Sequence, residues 1–301
     1  MAISRQQLAK ELEPGLNALF GLEYNNYENQ HGEIFDTETS DRAFEEEVML
    51  SGFGEAQVKS EGSAVAFDDA NEHFTARYTH ETIALAFSIT EEAVEDNLYD
   101  SIAKRYTKAL ARSMAQTKQI KAANILNNAF ATTTYGDGQF LIDNDHPTVA
   151  AGNQSNLLAA SDLNETSLEA SLIAIGKFQD ERGFKIAARG MKLIIPSDLQ
   201  FVAERLTKTA NRVGTSDNDI NAVQSMGMMP QGFVVNNFLT DTNAFFIKTD
   251  VPNGLKHFQR AALKTAMEGD FDTGNMRYKA RERYSFGASD WRGIFGSPGS
   301  S

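Results

Sequence analysis

The chain has 301 residues and a mass of 33.1 kDa, room for one large domain or two ordinary ones at roughly 100 to 200 residues each. It has no cysteine, 41% apolar residues and 20 Phe, which excludes a disulfide-stapled fold, a thiolate metal site and cysteine catalysis while leaving enough for a sizeable core. With 28 basic against 41 acidic residues the net charge is −13, which disfavours a monomer that grips phosphate backbones. No stretch approaches the roughly 20 apolar residues that span a bilayer, and MAISRQQLAKEL lacks the apolar core of a secretory signal. The chain is therefore expected to begin in a cytosol and to have no membrane partner.

Residues 1–60 hold 12 acids against Arg5, Lys10, Arg42 and Lys59, a net of −8. Breaks at Pro14-Gly15, Asn25-Asn26 and His31-Gly32 and short apolar groups predict an extended arm with little core of its own. Residues 53–89 alternate small, apolar and polar types through Val58, Val65, Phe67, Phe74, Ala76 and Tyr78. That pattern predicts a long β-hairpin or paired strands, thinly apolar on one face, which would be marginal by itself in water.

From Glu91 to about Ala131 apolar residues recur every four positions, at Val94, Leu98, Ile102, Tyr106, Leu110 and Met114, with no Gly or Pro between. The spacing predicts one helix, capped by Ser88 or Thr90 and about 60 Å long at ~1.5 Å per residue. Its bases Lys104, Arg105, Lys108, Arg112, Lys118 and Lys121 read as a solvated face, or as the surface that the acidic arm of the same or an adjacent chain covers.

The remainder alternates helices and strands in a compact α/β-type module. Expected are a turn at Tyr135–Gly138, a strand at Gln139–Ile142, helices at Ser167–Arg182 and Asp198–Ala210, and a loop over 214–221. Further strands are expected at Met191–Ile195, Val234-Val235 and Phe245–Ile247. Two long polar-apolar runs, Leu255–Glu268 and Asn275–Phe286, are joined by Gly269-Asp270-Phe271-Asp272-Thr273-Gly274, a hairpin tip, and Gly296–Ser301 reads as a frayed end.

The patterns of catalysis are missing. There is no Walker loop, Gly52-Phe53-Gly54 is followed by Gln57 where a dinucleotide fingerprint needs glycine, and no G-x-S-x-G or H-E-x-x-H occurs. His31, His73, His80, His146 and His257 are scattered. Asp217, Asp219 and Asn221 open a calcium-loop pattern that fails at Ala222 and Met228, and Asp143-Asn144-Asp145-His146 fails at Pro147. Both clusters read as turns or caps, and His146 as a loop hydrogen bond. No catalytic, cofactor-binding or metal residue is assigned.

An arm, an unsupported hairpin, an overlong helix, a compact module and a second hairpin are parts that need neighbours. Their order resembles the major capsid proteins of tailed bacteriophages with the HK97 fold, closest to Mu-like major head subunits. The resemblance rests on Asp137-Gly138, His146-Pro147, Gly152, Asn156, Gly183, Met191–Pro196, Ala203-Glu204-Arg205-Leu206 and Asp219-Ile220-Asn221. It closes on Arg283-Tyr284-Ser285-Phe286-Gly287 and Asp290-Trp291-Arg292-Gly293.

The resemblance implies an α+β fold with an N-arm (1–50), an E-loop (51–89), a P-domain (90–131 and 255–286, tip 269–274) and an A-domain with C-terminal tail (132–254 and 287–301). Contacts between subunits would come from Val58, Lys59, Val65, Phe67, Phe74 and Tyr78 of the E-loop and from Leu19, Phe20, Ile34 and Phe35 of the arm. The tip residues Gly269, Asp270, Phe271, Asp272, Thr273 and Gly274 would meet neighbours at threefold positions.

The implied product is an icosahedral head of pentamers and hexamers around double-stranded DNA, made in the host cytoplasm and ending in the virion. A portal protein and a separate scaffolding protein would be its partners, because the arm starts close to Met1. An encapsulin shell is the rival within the fold, and a soluble α/β enzyme the rival outside it. Some members of the fold join an E-loop Lys to a neighbour's Asn. Lys59 and Asn275, with Glu268 as base, are the raw parts here, and a solvated Lys59 is the expectation.

Overall fold

The computed structural model describes residues 5–90, 92, 99–131, 136–211, 219–270 and 273–300, with side chains in the first helix from Glu13 and in the long helix from Ala103. Three β-layers organise the chain. A four-stranded sheet in the order β1-β8-β9-β4 is made by Asp36–Thr39, Leu255–Gly269, Met276–Ala288 and Glu81–Ile89. A second sheet runs β10-β7-β5-β6, from Ile294–Ser297, Phe245–Thr249, Gly190–Ile195 and Phe233–Val235. The third is a ribbon of β2 (Phe44–Leu50) and β3 (Glu72–Thr79). Parallel pairs, β1 with β8 and β5 with β6, sit among antiparallel ones, so the α+β expectation holds.

The first 50 residues are not an extended arm. Helix α1 (Arg5–Asn25) runs through Pro14 and ends at the Asn25-Asn26 break. A proline inside a helix removes one ladder bond, yet Leu16 and Phe20, both 2% exposed, fix this helix against Leu110 and Met114 of the long helix and Tyr278 of β9. Burying side chains of this size is worth roughly 1.5–3 kcal/mol each, which outweighs the local break. Ile34 and Phe35 join the largest core of the same chain, Phe35 meeting Phe286 edge-on at 5.1 Å. Phe20, Ile34 and Phe35 are thus internal packing residues, and Leu19 is half-buried.

The hairpin expected over 53–89 is also rearranged. Its two halves part at His80: β3 pairs with β2 from Phe44↔Thr79 to Leu50↔Glu72, with a register shift between Val48 and Leu50, while β4 pairs with β9. Residues 51–71 form no strand. They close at the base through Ser51 N to Asn71 O (2.9 Å) and Asn71 N to Ser51 Oγ (2.9 Å), and turn back at Glu61-Gly62, where Gly62 takes φ +78°. Phe74 and Tyr78 face inward on β3, 8% and 3% exposed. The alternation that suggested a free hairpin is the alternation of strands seated on their own core.

The long helix α2 is described over Tyr99–Asn127, about 44 Å at ~1.5 Å per residue, and Glu92 is helical as well. The expected stripe residues Val94 and Leu98 lie outside the described residues, and Ser88 belongs to β4 rather than to a cap. The buried stripe is rich in alanine, with Ala103, Ala111, Ala115, Ala122 and Ala123 beside Leu110, Met114 and Leu126. Small side chains let α2 lie close on the sheet. Tyr106 is half-exposed and leans on Phe87 at 5.7 Å.

The second sheet carries the largest core. Leu193, Ile194, Ile195, Phe245, Phe246, Ile247, Ile294 and Phe295 pack against Leu168, Leu172 and Ile175 of α3 (Glu165–Ile175). An Asn164–Ser167 capping box starts α3, and Gly176 ends it well short of the expected Arg182. Residues 197–208 form a short 3-10 turn followed by α4 (Gln200–Lys208), and α5 (Ala222–Ser225) packs beside α4. Gln139–Ile142 is not a strand, although Leu141 and Ile142 are buried. The expected turn at 135–138 is described from Gly136, and the 214–221 loop from Asp219, with Asn221 capping α5.

The described part of the C-terminal segment, 296–300, is held, not frayed. Ser297 Oγ donates to Ser161 O (2.9 Å), and Ser300 N donates to Asp162 Oδ1 (3.0 Å).

Candidate assembly surfaces

Loop 51–71 has little support from its own fold: it forms no strand and most of its residues are exposed. Val58 and Phe67 are each 97% exposed, and Phe53 and Val65 are each 65% exposed. Inside the loop, Gly54 N donates to Asp68 Oδ2 at 2.5 Å, and this bond and the one from Asp69 N hold the Asp68 carboxyl below the usual carboxylate range. Of the expected E-loop contacts, Val58, Lys59, Val65 and Phe67 are outward and available. Phe74 and Tyr78 are spent on the interior: Tyr78 packs edge-on against Phe258 at 4.7 Å and hydrogen-bonds Ser289.

Five acids of the first 50 residues are matched by lysines of the same chain. Glu33 meets Lys192 at 2.6 Å, Asp36 meets Lys248 at 2.9 Å, and Glu38 meets Lys256 at 3.1 Å. Glu47 also pairs with Lys256, and Glu23 lies 3.7 Å from Lys108. Burial alone would push Lys256 down, and the two carboxylates that accept from it raise it above the ordinary lysine value. Of these lysines only Lys108 belongs to the basic run of α2. In that run Lys104, Arg105, Lys108 and Arg112 are exposed, whereas Lys118 is buried and Lys121 pairs with Glu81.

Three buried polar joints tie the layers together. In the first, His146 Nδ1 lies 2.7 Å from Asp137 Oδ2, and its ring stacks on Trp291 at 4.6 Å and 3°. Beside it the Asn156 amide donates to Leu141 O, Trp291 O and Ile294 O at 2.9–3.1 Å. His146 is a fully enclosed pin, as a loop hydrogen bond predicts.

In the second joint, Arg292 Nη2 donates to Glu181 Oε1 (2.9 Å), Nη1 to Asp290 Oδ1 (3.3 Å) and Nε to Gln179 O (2.7 Å). His73 of β3 lies 3.1 Å from the other Glu181 oxygen, without the alignment of a hydrogen bond. Next to Arg292, the backbone of Gly293 approaches that of Gly254 so closely that a β-carbon on Gly293 would stand 2.2 Å from the Gly254 Cα. Sequence reasoning singled out Asp290-Trp291-Arg292-Gly293 without finding Glu181 or His73, because the chain separation between them carries no periodic signal.

The third joint lies where α1, α2 and the first sheet meet. Lys118 Nζ donates to Glu282 Oε2 (3.4 Å), which also accepts from Tyr24 OH (3.4 Å). Burial raises Glu282 above the ordinary carboxylate value despite Lys118. Nearby, the His31 and His257 rings meet edge-on at 5.4 Å beside a cavity of about 240 Å³ that Lys118 and Gln119 also line. Burial first, then the Lys118 ammonium, pushes His31 from 6.5 to about 4 and His257 to about 3.

Between those values and 6.5 the unfolded chain binds the proton that the folded one refuses, so stability rises with pH. The thermal midpoint of the unassembled subunit is expected to fall as pH drops from 6.5 toward 4. His257→Gln is expected to flatten that fall, and an unchanged slope in the variant's melts would remove His257 from the account. Glu282, with its raised value, works in the opposite sense at the top of the carboxylate range.

At the second hairpin tip, Asp270 N donates to Asn275 O (2.8 Å) and Gly274 N donates to Asp270 O (3.0 Å). Thr273 Oγ1 donates to Asp270 Oδ2 (2.8 Å), and Arg277 pairs with the same carboxylate. Phe271 and Asp272 lie outside the described residues. Among the described residues no cluster of three metal-ligating acids or histidines occurs, and no helix is long and apolar enough to cross a membrane.

Residues 74–296, from β3 to β10, match the family model described as phage capsid protein. No protein of curated function matches the sequence. Among solved structures the fold is similar to the virus-like particle from Pyrococcus furiosus, at 12% identity and TM-score 0.52 over 94% of this chain and 97% of that one. The capsid of the native GTA particle gives 12% identity and TM-score 0.56 over 90% of each chain. The capsid of Myoviridae phage XM1 gives 10% and 0.52 over 89% of each. At such identities the likeness speaks for the fold, which is HK97-like as the resemblance implied. The family match over three quarters of the chain speaks for more: this chain belongs to the phage capsid protein family, a structural major capsid subunit of an icosahedral shell and not an enzyme.

Proposed function

We propose that the chain builds the head of a tailed bacteriophage of the Mu-like type, as pentamers and hexamers that enclose double-stranded DNA. The observation that carries the reading beyond the family is loop 51–71, which forms no strand and displays Val58 and Phe67 fully to solvent. Apolar surface of this kind is stabilised only by a neighbour, so assembly and stability are linked through concentration. In this reading residues 51–89 are the E-loop region, the α2–β8–β9 layer is the P-domain, and the second sheet with β10 is the A-domain. The DNA is held by confinement, since a subunit of net charge −13 makes no attractive wall for phosphate. A separate scaffolding protein and a portal complete the assembly in the host cytoplasm. A cargo-filled encapsulin shell is not favoured, because the family model matched is that of phage capsid proteins.

Purified particles test the proposal in one preparation. Electron microscopy is expected to show closed icosahedral shells, with nuclease-resistant DNA inside those made in the presence of portal and packaging proteins. A boiled denaturing gel is expected to give a single 33.1 kDa band, because attack on an amide needs a deprotonated amine positioned beside a base. Shells filled with a cargo enzyme would overturn the DNA reading, and a ladder of multimers lost in Lys59→Arg would overturn the absence of crosslinks.

A further inference from the structure

The cavity of about 240 Å³ at the third joint is lined almost wholly by polar groups. His31, Lys118, Gln119 and His257 form its floor, 7%, 8%, 7% and 2% exposed, and Asn25 and Asn29 stand exposed at its rim. The end of α1, the loop after it, one side of α2 and the β1–β8 pair close around it. This floor is fixed by the fold itself. Gln119 Oε1 accepts from His31 N (2.9 Å) and the Gln119 amide donates to Glu28 O (3.2 Å), so the loop is pinned to α2, while the His257 ring stacks on Phe286 at 4.5 Å and 16°.

Two buried nitrogens of the floor, His31 Nδ1 and His257 Nε2, have no hydrogen-bond partner. Such atoms are rare in native interiors, because each leaves its loss of water uncompensated. The Thr37 hydroxyl lies 3.2 Å from His257 Nδ1, and when it donates there the proton of the neutral ring sits on Nε2, a donor without an acceptor in the chain. Lys118 adds to the surplus. Its ammonium carries three protons and meets one carboxylate, Glu282, at 3.4 Å, and among the described residues no carboxylate lines the cavity. Both rings, lowered first by burial, are lowered further by this charge.

A wall with a cation, N–H groups that lack acceptors and no acid is complementary to an anion. Water could satisfy the nitrogens but brings no charge. A metal ion would be repelled by Lys118 and would find two imidazoles where a closed site needs four ligands. The volume lies below the roughly 300 Å³ at which pockets for drug-sized ligands begin, so the occupant is small. Its donors come from three different elements, and a tetrahedron of oxygens meets more of them than a planar carboxylate can. We propose that this cavity is a binding site for a small free oxyanion of the phosphate or sulfate class, held by Lys118, His31 and His257. The anion ties the end of α1 and the loop after it to α2 and the first sheet. It is a ligand of the single subunit, separate from the way subunits meet.

Melts of the unassembled full chain test the site, with chloride exchanged for inorganic phosphate or sulfate over the millimolar range at constant ionic strength. A saturable rise of roughly 5 °C is expected at a hundredfold excess over Kd. Lys118→Gln/Glu282→Gln removes the cation together with its countercharge, strands neither, and should weaken binding at least about tenfold. His257→Phe keeps a ring on Phe286, removes the donor, and should also weaken binding about tenfold. Should a variant fail to fold, the parent chain still decides: two of its five histidine ring signals in NMR spectra should move with the midpoint of the melts.

The absence of any saturable shift would overturn the proposal, and so would an equal shift in the double variant. Half-saturation only far above millimolar concentration would mean an adventitious ion only and overturn it too. A short DNA oligonucleotide in buffer free of phosphate and sulfate should leave the histidine signals in place. If it moves them as sulfate does, the cavity takes a backbone phosphate and the assignment to a free anion falls.

Discussion

Replacing residues 53–69 with a short Gly-Ser turn is expected to leave a soluble, folded subunit that forms no shells. The loop is closed at its base by the paired hydrogen bonds of Ser51 and Asn71, which the replacement keeps. What the subunit loses internally is small: the Gly54–Asp68 bond, which belongs to the loop itself, and the contacts of Arg182 with Asp68 and Asp69. Ion pairs at such an exposed rim are worth about 0–1 kcal/mol, so the melting temperature of the unassembled subunit should move little.

The assembly loses much more. Phe53, Val58, Val65 and Phe67 could each contribute roughly 1.5–3 kcal/mol on full burial against a neighbour, and every 1.4 kcal/mol is about tenfold in an association constant. Particle yield measured by sedimentation and electron microscopy should therefore fall below detection at subunit concentrations that suffice for the parent chain. Normal particles from the shortened chain would refute the reading.

Where one face of one element meets the core, the residues of this chain announce their structure. Helix α2, strands β5 and β7 and the β8–β9 hairpin follow from periods that their own side chains define. The N-terminal 50 residues do not, because their order comes from elsewhere: Phe20 needs Tyr278, and Glu33 needs Lys192. Charge density and Pro14 suggested an extended segment, and packing on partners far along the chain overrode both. The break at His80 was invisible for a related reason. Alternation is the same on both sides of it, and only pairing tells that β3 joins β2 while β4 joins β9.

The buried joints are less legible still. Nothing local connects Glu181 to Arg292, and the ordered motifs of the family marked one end of that pair only.

Arg292→Met is expected to be the most damaging single substitution among the polar joints. The guanidinium is 2% exposed, lies over the Trp291 ring at 4.2 Å, and is the cation for both Glu181 and Asp290, themselves 2% and 8% exposed. Burial already raises Asp290 above the usual carboxylate range, with Arg292 pulling it back. Methionine would fill most of the space and leave two carboxylates in the interior without a countercharge, a loss of about 3–5 kcal/mol. Against a total stability of roughly 5–15 kcal/mol that is enough to empty the folded state at growth temperature in a marginal subunit. For a chain of this size it corresponds to a fall in melting temperature of roughly 6–15 °C.

The sign of the pH dependence separates this cause from simple loss of packing. A carboxyl stripped of its cation in the interior holds its proton more tightly when folded than when unfolded, so the deficit grows as pH rises above the ordinary carboxylate range and shrinks below it. Melts of unassembled subunits at pH 5 and pH 7.5 should therefore show a smaller gap between variant and parent at the lower pH. The double variant Arg292→Met/Glu181→Met, with one of the stranded charges gone, should recover part of the loss at both. A gap that is the same at both pH values would mean that Arg292 acts by its stacking on Trp291 and its bond to Gln179 O, and that the buried carboxylates are reached by water.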